Sequence, residues 1–391
     1  MGRAAAVVWD EALLGYDLGH GHPFNPVRLD LTIRLAVELG VLDRATLLVP
    51  EMAGDAELER VHEPSYLSAV RSAPDLGGGV GHGLGTPDNP VFYDMHNASA
   101  LVVGGSLLAA RQIASGAVNR AVNIAGGLHH AMANYASGFC VYNDCAVAIS
   151  WLLDNGFSRI AYVDTDVHHG DGVQAAFYDD PRVLTISLHQ HPRTLWPATG
   201  YAREVGAGEA TGSAVNIALA PGTRDPEWLR AFNAVVPSLL REFSPRLLVT
   251  QCGVDSHAED PLADLSLSVD GHAAIYRTLR SLAEEYAEGR WLAVGGGGYQ
   301  LLRVVPRSWT HLIATVLDSD LPAETALPPG WLEHAKRLAP SAALPVTMGD
   351  NEDPVFEPWE GTEEQPVDAS IRDTRGAVFP LHGLDPDDPR D

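Results

Sequence analysis

The residues with most chemistry to offer lie in "VDTDVHHGDG", 163–172, which holds Asp164, Asp166, His168, His169 and Asp171. The apolar "RIAYV" leads into them, so a buried strand ends in a burst of chargeable groups. Carboxylates are seldom buried without a partner. Side chains two apart on a strand share a face. That puts Asp164, Asp166 and His168 together and turns His169 away, toward a structural role. An Asp and a His so spaced make half of a site for a divalent metal. A catalytic site needs a third ligand and an open position. Asp255 is the candidate, because "RLLVTQCGVDSH" is a second apolar run with a carboxylate just past its end.

Two further clusters share this layout. "AVNIAGGLHHAM" is an apolar run, two glycines, then His129 and His130. Adjacent imidazoles are awkward as co-ligands of one metal. They suit a general base and a general acid, provided carboxylates hold their tautomers. Asp164 and Asp171 are the carboxylates to spare. In "WLAVGGGGYQ" four glycines let the backbone approach a ligand closely, and Tyr299 can donate a hydrogen bond to a developing oxyanion. Singly, each cluster has a bland reading that outweighs the chemical one or stands beside it: a loop cap for the Asp pair, chance for the two histidines, a tight turn for the glycines and a helix cap for Asp255. All four fall at the carboxyl ends of expected strands, where open parallel sheets gather their ligand sites.

The strands that must position these groups are "AAAVVW" (4–9), "AVNIAGG" (121–127), "RIAYVDTD" (159–166), "RVLTISLH" (182–189), "RLLVTQCG" (246–253) and "WLAVGGG" (291–297). Helix-like segments lie between them. One spans 225–243, with Asp225 at the N-cap and Pro226 at N1; another spans 270–288, capped by Asp270. Continuous apolar strands separated by helices predict a three-layer α/β/α domain with a mostly parallel central sheet. The pattern fades after about residue 318, giving a catalytic domain over 1–320. Residues 321–391 form an acidic, Pro-rich extension: a short helix near 330–338, then a partly irregular, solvated tail.

Composition narrows the partners. With 26 basic and 51 acidic residues, the formal charge is −25. Such a surface repels nucleic acid and anionic lipid and attracts basic partners. Lys336 is the only lysine, which reads as GC-rich codon bias. Cys140, Cys145 and Cys252 form no CxxC pair, as expected of reduced thiols in the cytoplasm. The apolar run near the N-terminus is too short for a signal peptide, and no run is long enough to predict a membrane span.

These stretches resemble the histone deacetylase family. The matching motifs are "GHPFNPVRL" (21–29), "GGLHHAMANYASGFCVYNDCAVA" (126–148), "VDTDVHHGDGV" (163–173), "SLHQHPRTLWPATG" (187–200), "QCGVDSHAEDPLADLSLS" (251–268) and "GGGGY" (295–299). They stand in the family's order and cover roughly residues 5–318. The resemblance implies the arginase/deacetylase fold and hydrolysis of an acetyl-lysine amide to lysine and acetate. It implies Asp166, His168 and Asp255 as ligands of zinc, with ferrous iron as the other candidate. It implies His129 and His130 as catalytic histidines oriented by Asp164 and Asp171, and Tyr299 as the carbonyl-polarising residue. Gly138, Phe139 and Trp196 match walls of an acyl-lysine tunnel, Asp88 a holder of substrate backbone, and Arg28 an arginine behind the site. A structural potassium is implied beside Asp164, Asp166, His168 and Ser187. The implied partner is an acetylated metabolic enzyme, acetyl-CoA synthetase above all.

Two positions depart from the pattern. Trp196 stands where deacetylases commonly carry Phe. Leu262 occupies a rim position where acetylpolyamine deacetylases can carry a glutamate, so an apolar residue there favours peptide substrates. Three other readings stay open: a small-molecule amidohydrolase on this scaffold, a dimanganese ureohydrolase, and a non-catalytic binding module. The second needs further Asp and His ligands, and the third is expected to have lost a ligand or Tyr299.

Overall fold

The computed structural model describes residues 5–391 except 78 and 363. Ala4 of the first expected strand and Glu363 of the acidic tail lie outside the described residues. Among the described residues, eight strands form one sheet: β1 (Ala5–Val8), β2 (Thr46–Leu48), β3 (Arg120–Asn123), β4 (Ile160–Asp164), β5 (Val183–Gln190), β6 (Ala214–Leu219), β7 (Leu247–Gln251) and β8 (Trp291–Val294). Their order is β2-β1-β3-β8-β7-β4-β5-β6, and every pairing is parallel. All six expected strands are present, most of them shorter than expected; β3 starts one residue earlier, at Arg120, and β5 runs one residue further, to Gln190. The sequence reading places nothing at the two edges. β2 is only three residues long, and Asn216 interrupts the apolar run of β6.

The helices are α1 (Val27–Glu38), α2 (Asp55–Leu58), α3 (Pro64–Leu76), α4 (Met95–Ala114), α5 (Asp144–Asp154), α6 (Asp171–Ala176), α7 (Asp225–Phe243), α8 (Val269–Tyr286), α9 (Val305–Leu317), α10 (Pro329–Leu338) and α11 (Val367–Val378). Strand alternation sorts the core into two layers. Ala6, Val8, Tyr162, Val249 and Leu292 pack with Ala110 of α4 and Ile149 of α5. Val7, Ala161, Leu248 and Ala293 join a second cluster with Phe232 of α7, Leu279 of α8 and Trp309 of α9. Both faces of the sheet are therefore covered, as a wholly parallel sheet requires.

Two helix starts differ from expectation. Asp225 is the first residue of α7, with Arg224 at the N-cap. The Asp225 carboxylate accepts hydrogen bonds from the amide and hydroxyl of Ser268, at 2.9 and 2.5 Å. Ser268, not Asp270, caps α8, its hydroxyl accepting from the Gly271 amide at 2.9 Å. Asp270 is recruited by a distant segment: it accepts from the amides of Asp350 and Glu352, each at 2.9 Å.

The extension also differs. α10 stands where expected, packed on α1, with the Trp331 indole donating to the Leu31 carbonyl at 2.8 Å. Residues 367–378 are helical and packed, not extended and solvated. α11 buries Ile371 and Val378 against α7 and β6, and Arg230 of α7 meets Asp368 in a buried ion pair at 2.7 Å. Arg375 is fully buried, sandwiched between the rings of Trp359 and Phe379, 4.5 and 4.0 Å from their centroids. Its guanidinium donates to the carbonyls of Ala234, Asp385, Pro386 and Asp388, so the last acidic residues fold around a buried cation. Acidic composition hides the reason: Val367, Ile371 and Val378 recur at helical spacing. No helix among the described residues is long and apolar enough to cross a membrane.

Candidate active site

The strand order decides where the chemistry lies. β3, β8, β7 and β4 are consecutive neighbours at the centre of the sheet. Their carboxyl ends deliver, side by side, the loops carrying His129 and His130, Tyr299, Asp255, and Asp164 to Asp171.

β4 stops at Asp164, so Asp166 and His168 do not share a strand face with it. The chain leaves the sheet because carboxylates take up the backbone. The Asp166 amide donates to Asp164 Oδ1 at 3.2 Å, and the His168 amide to Asp166 Oδ1 at 3.0 Å. Asp166, His168 and Asp255 still converge, each offering a ligand atom within 4.8 Å of the others. His168 Nδ1 lies 3.1 Å from Asp166 Oδ1 and 3.0 Å from Asp255 Oδ2. Supports fix both carboxylates: Asp166 Oδ2 accepts from the Gln251 side chain and the Gly297 amide, each at 2.8 Å. Asp255 Oδ1 accepts from the Val167 amide at 2.9 Å. A Cβ at Gly297 would overlap the Asp255 carboxylate, so only glycine lets β8's loop come this close.

Electrostatics test whether this cluster fits a cation. Burial disfavours a charged His168, yet Asp166 and Asp255 outweigh it and raise its pKa to about 10. Burial and the neighbouring Asp166 push Asp255 up to about 6. Two carboxylates and one imidazole, buried together, draw positive charge from whatever source is at hand. That donor set, hard oxygens and a borderline nitrogen, suits zinc or ferrous iron.

Beside it stand the two histidines. His129 Nδ1 is 2.7 Å from Asp164 Oδ2, His130 Nδ1 is 2.7 Å from Asp171 Oδ1, and their Nε2 atoms lie 3.0 Å apart. Burial opposes a charge on His129, but Asp164 and Asp166 overcome it and raise its pKa to about 9. Burial and the charge on His129 lower His130 to about 4. The extra proton is therefore favoured on His129, and His130 is the more readily deprotonated of the pair. Asp144 holds the loop from beneath, accepting from the amides of Gly127 and Leu128 at 3.0 and 2.8 Å.

Tyr299 closes the opposite side. Burial, then Asp255 and Asp166, push its phenol well above the usual range, so it stays a donor. Its amide donates to Asp260 Oδ2 at 2.8 Å. Arg28 is buried behind the glycine loop and donates to the carbonyls of Gly296 and Gly298, at 2.8 and 3.2 Å. Phe139 stands edge-on to Tyr299 and Trp196 edge-on to His130, with centroids 5.7 and 4.6 Å apart. Gly138 has φ +52°, and a Cβ there would sit 2.5 Å from His130 Cδ2 and 2.6 Å from the Trp196 ring. Asp88 is exposed, its backbone against the His22 ring, which packs on Phe139. Leu262 is half-buried, and its amide donates to Asp260 at 3.0 Å.

Ser187 pairs in register with Asp164. His169 is buried away from the cluster, with Thr199 and Gln174 as partners at 2.8 and 3.1 Å. It lies in a loop, so strand alternation is not the cause. Gln251, Asp144 and Asp260 were not singled out from sequence as parts of the site. For Gln251 and Asp144 the one available signal was a polar or acidic residue next to an apolar run; Asp260, in a polar stretch, had none.

A model of the histone deacetylase domain matches residues 22–316. The chain belongs to the histone deacetylase family. Within it, the chain is 39% identical over 355 residues to the acetoin utilization protein AcuC of Bacillus subtilis, covering 90% of this chain and 91% of that one. It is 36% identical to AcuC of Staphylococcus xylosus, covering 91% and 93%. The crystal structure of an HDAC homolog from Aquifex aeolicus matches with a TM-score of 0.80 at 29% identity, covering 95% of this chain and 100% of that one. The fold is thus the arginase/deacetylase fold. A likeness covering 90% of this chain exceeds what residues 1–316 could supply, so it reaches into the extension.

Proposed function

We propose that this deacetylase-family protein is a metal-dependent lysine deacetylase, hydrolysing the acetyl-lysine amide of a protein to lysine and acetate. The observation that carries the reading is the placement of two adjacent histidines, each held by its own carboxylate, beside the buried Asp166–His168–Asp255 cluster. A divalent cation held by those three residues would supply Lewis-acid polarisation of the amide carbonyl and of a water molecule. Zinc is the proposed ion. His130 Nε2 takes the proton of the attacking water as the new C–O bond forms at the carbonyl carbon. Asp171 holds its Nδ1–H and stabilises the resulting imidazolium. The Tyr299 hydroxyl donates to the oxyanion. When the C–N bond breaks, the proton passes from His130 to the lysine nitrogen. His129, charged and held by Asp164, assists electrostatically.

The AcuC relatives are named for acetoin utilization, and the resemblance implies acetyl-CoA synthetase as the substrate protein. Leu262 supports a peptide over a polyamine, because an apolar rim residue offers a distal ammonium nothing. A structural potassium beside Asp164, Asp166, His168 and Ser187 belongs to the same proposal. So does a cytoplasmic location.

The test is a panel of acetyl-lysine peptide, acetylated acetyl-CoA synthetase and acetylspermidine against protein reconstituted with zinc or ferrous iron. Turnover of the two lysine substrates, with acetylspermidine slower, is expected. Preference for acetylspermidine would transfer the reading to a small-molecule amidohydrolase. Tyr299→Phe is expected to lower kcat by about 10²-fold or more while metal content, measured by elemental analysis, stays intact.

A further inference from the structure

The family's domain model ends at residue 316, yet the chain beyond it reaches back to residues that flank the reaction centre. Asp350 Oδ2 accepts from His257 Nε2 at 2.9 Å and from the Val269 amide at 2.8 Å. Asp350 Oδ1 accepts from the Arg307 guanidinium at 2.7 Å, and Arg307 also donates to the Gly349 carbonyl at 2.8 Å. The segment is itself held by Asp270, through the Asp350 and Glu352 amides. A Cβ at Gly349 would strike the Asp270 carboxylate, so close packing here depends on glycine.

These contacts end on the loop that carries Asp255 and on α9, the helix that follows the Tyr299 loop. His257 lies two residues past Asp255. Its Nδ1 accepts from the Glu259 amide at 3.0 Å, which fixes Nε2 as the protonated nitrogen facing Asp350. The next residue, Asp260, accepts from the Tyr299 amide. Arg307 sits on α9, just after the Tyr299 loop, and Arg303 on the same stretch pairs with Glu259 at 2.6 Å. One carboxylate therefore braces the Asp255 loop through His257 and the Tyr299 loop through Arg307.

We propose that Asp350 is a positioning residue for the reaction centre, setting the relative placement of Asp255 and Tyr299 from outside the family's core domain. Removing it leaves His257 Nε2 and Arg307 Nη2 as buried donors without their acceptor, although Arg307 keeps the carbonyls of Arg303 and Gly349, and each freed donor must find a new partner. The two loops then separate by the fraction of an ångström that catalysis senses. The proposal rests on the deacetylase reading, and zinc affinity keeps the two apart.

The experiment uses the full chain. Zinc affinity and acetyl-lysine peptide kinetics are measured for wild type, Asp350→Asn, Asp350→Ala, Tyr299→Phe and the Asp350/Tyr299 double variants. Asp350→Ala is expected to weaken zinc binding by about 10-fold or more. It should lower kcat by about 10–10²-fold with little change in KM. Asp350→Asn, which keeps an acceptor oxygen, should fall between. Because Asp350 acts partly through Tyr299, its loss should be clearly smaller in the Tyr299→Phe background. The Asn variant carries the same cycle if the Ala variant does not fold. Wild-type zinc affinity in both Asp350 variants, or a kcat loss equal in both backgrounds, overturns the proposal. Inactive wild-type protein on acetyl-lysine overturns the functional reading, and the zinc measurement still decides the role of Asp350.

Discussion

His129 and His130 are neighbours in sequence with opposite electrostatic fates. His129 faces Asp164 and, at 3.9 Å, Asp166, so two negative charges hold its proton. His130 faces Asp171 alone and looks across 3.0 Å at its charged neighbour. His130→Ala is therefore expected to lower kcat on an acetyl-lysine peptide by about 10²–10⁴-fold, and His129→Ala by less. Equal losses would remove the division of roles, and steady-state kinetics of the two variants decides it. The roster of chargeable groups was legible because residue type and strand-end position both point to it. Asp166 and His168 came together as expected but for another reason: a loop turned by its own carboxylates, not a shared strand face. Gln251 and Asp260 escaped notice because they serve partners 85 and 39 residues away, and one of those partners is a backbone amide that no side-chain pattern announces.

At the scale of elements, buried central strands announce themselves by continuous apolar runs, and edge strands that are very short, as β2 is, or interrupted by a polar residue, as β6 is by Asn216, do not. The starts of α7 and α8 show why helix caps misread. Asp225 and Asp270 each sit at a helix start where a local cap is natural, but Ser268 and the 350–352 amides claim them through tertiary contacts. α11 is the largest departure. Its charge reads as solvated tail, while its hidden stripe and Arg375 make it part of the core. Arg375→Ala would leave four carbonyls without their donor and open a space between Trp359 and Phe379. We expect a loss of about 2–4 kcal/mol in unfolding free energy, read from denaturant titration. An unchanged midpoint would mean that the last residues hold to α7 without it.

The whole molecule carries a set of buried neutral histidines away from the reaction centre. Burial lowers His62 and His311 to about 4 and His272 to about 3. His62 shows the cost of protonation: its Nε2 accepts from the Asn143 amide at 3.0 Å, and a proton there breaks that bond. These folded-state values lie below the unfolded value of about 6.5. Their contribution is complete above that pH and is lost as pH falls toward about 4. Asp260 and Asp255, pushed up to about 7 and about 6, and His129 and His168, raised to about 9 and about 10, act in the opposite sense at the reaction centre, while His130, lowered to about 4, and the lowered His169 and His189 add to the first set. The melting temperature should fall between pH 7 and pH 5, and a flat profile would contradict the assignment. The order of the sheet has one more consequence, for the chain as it is made. β8 is the last strand in sequence, yet it lies between β3 and β7. Until residues 291–294 leave the ribosome, β1 to β3 and β4 to β7 are two half-sheets, each with an exposed inner edge. Synthesis therefore passes through a long interval in which those edges are open to mispairing, and insertion of the final strand joins the sheet and assembles the site in one event.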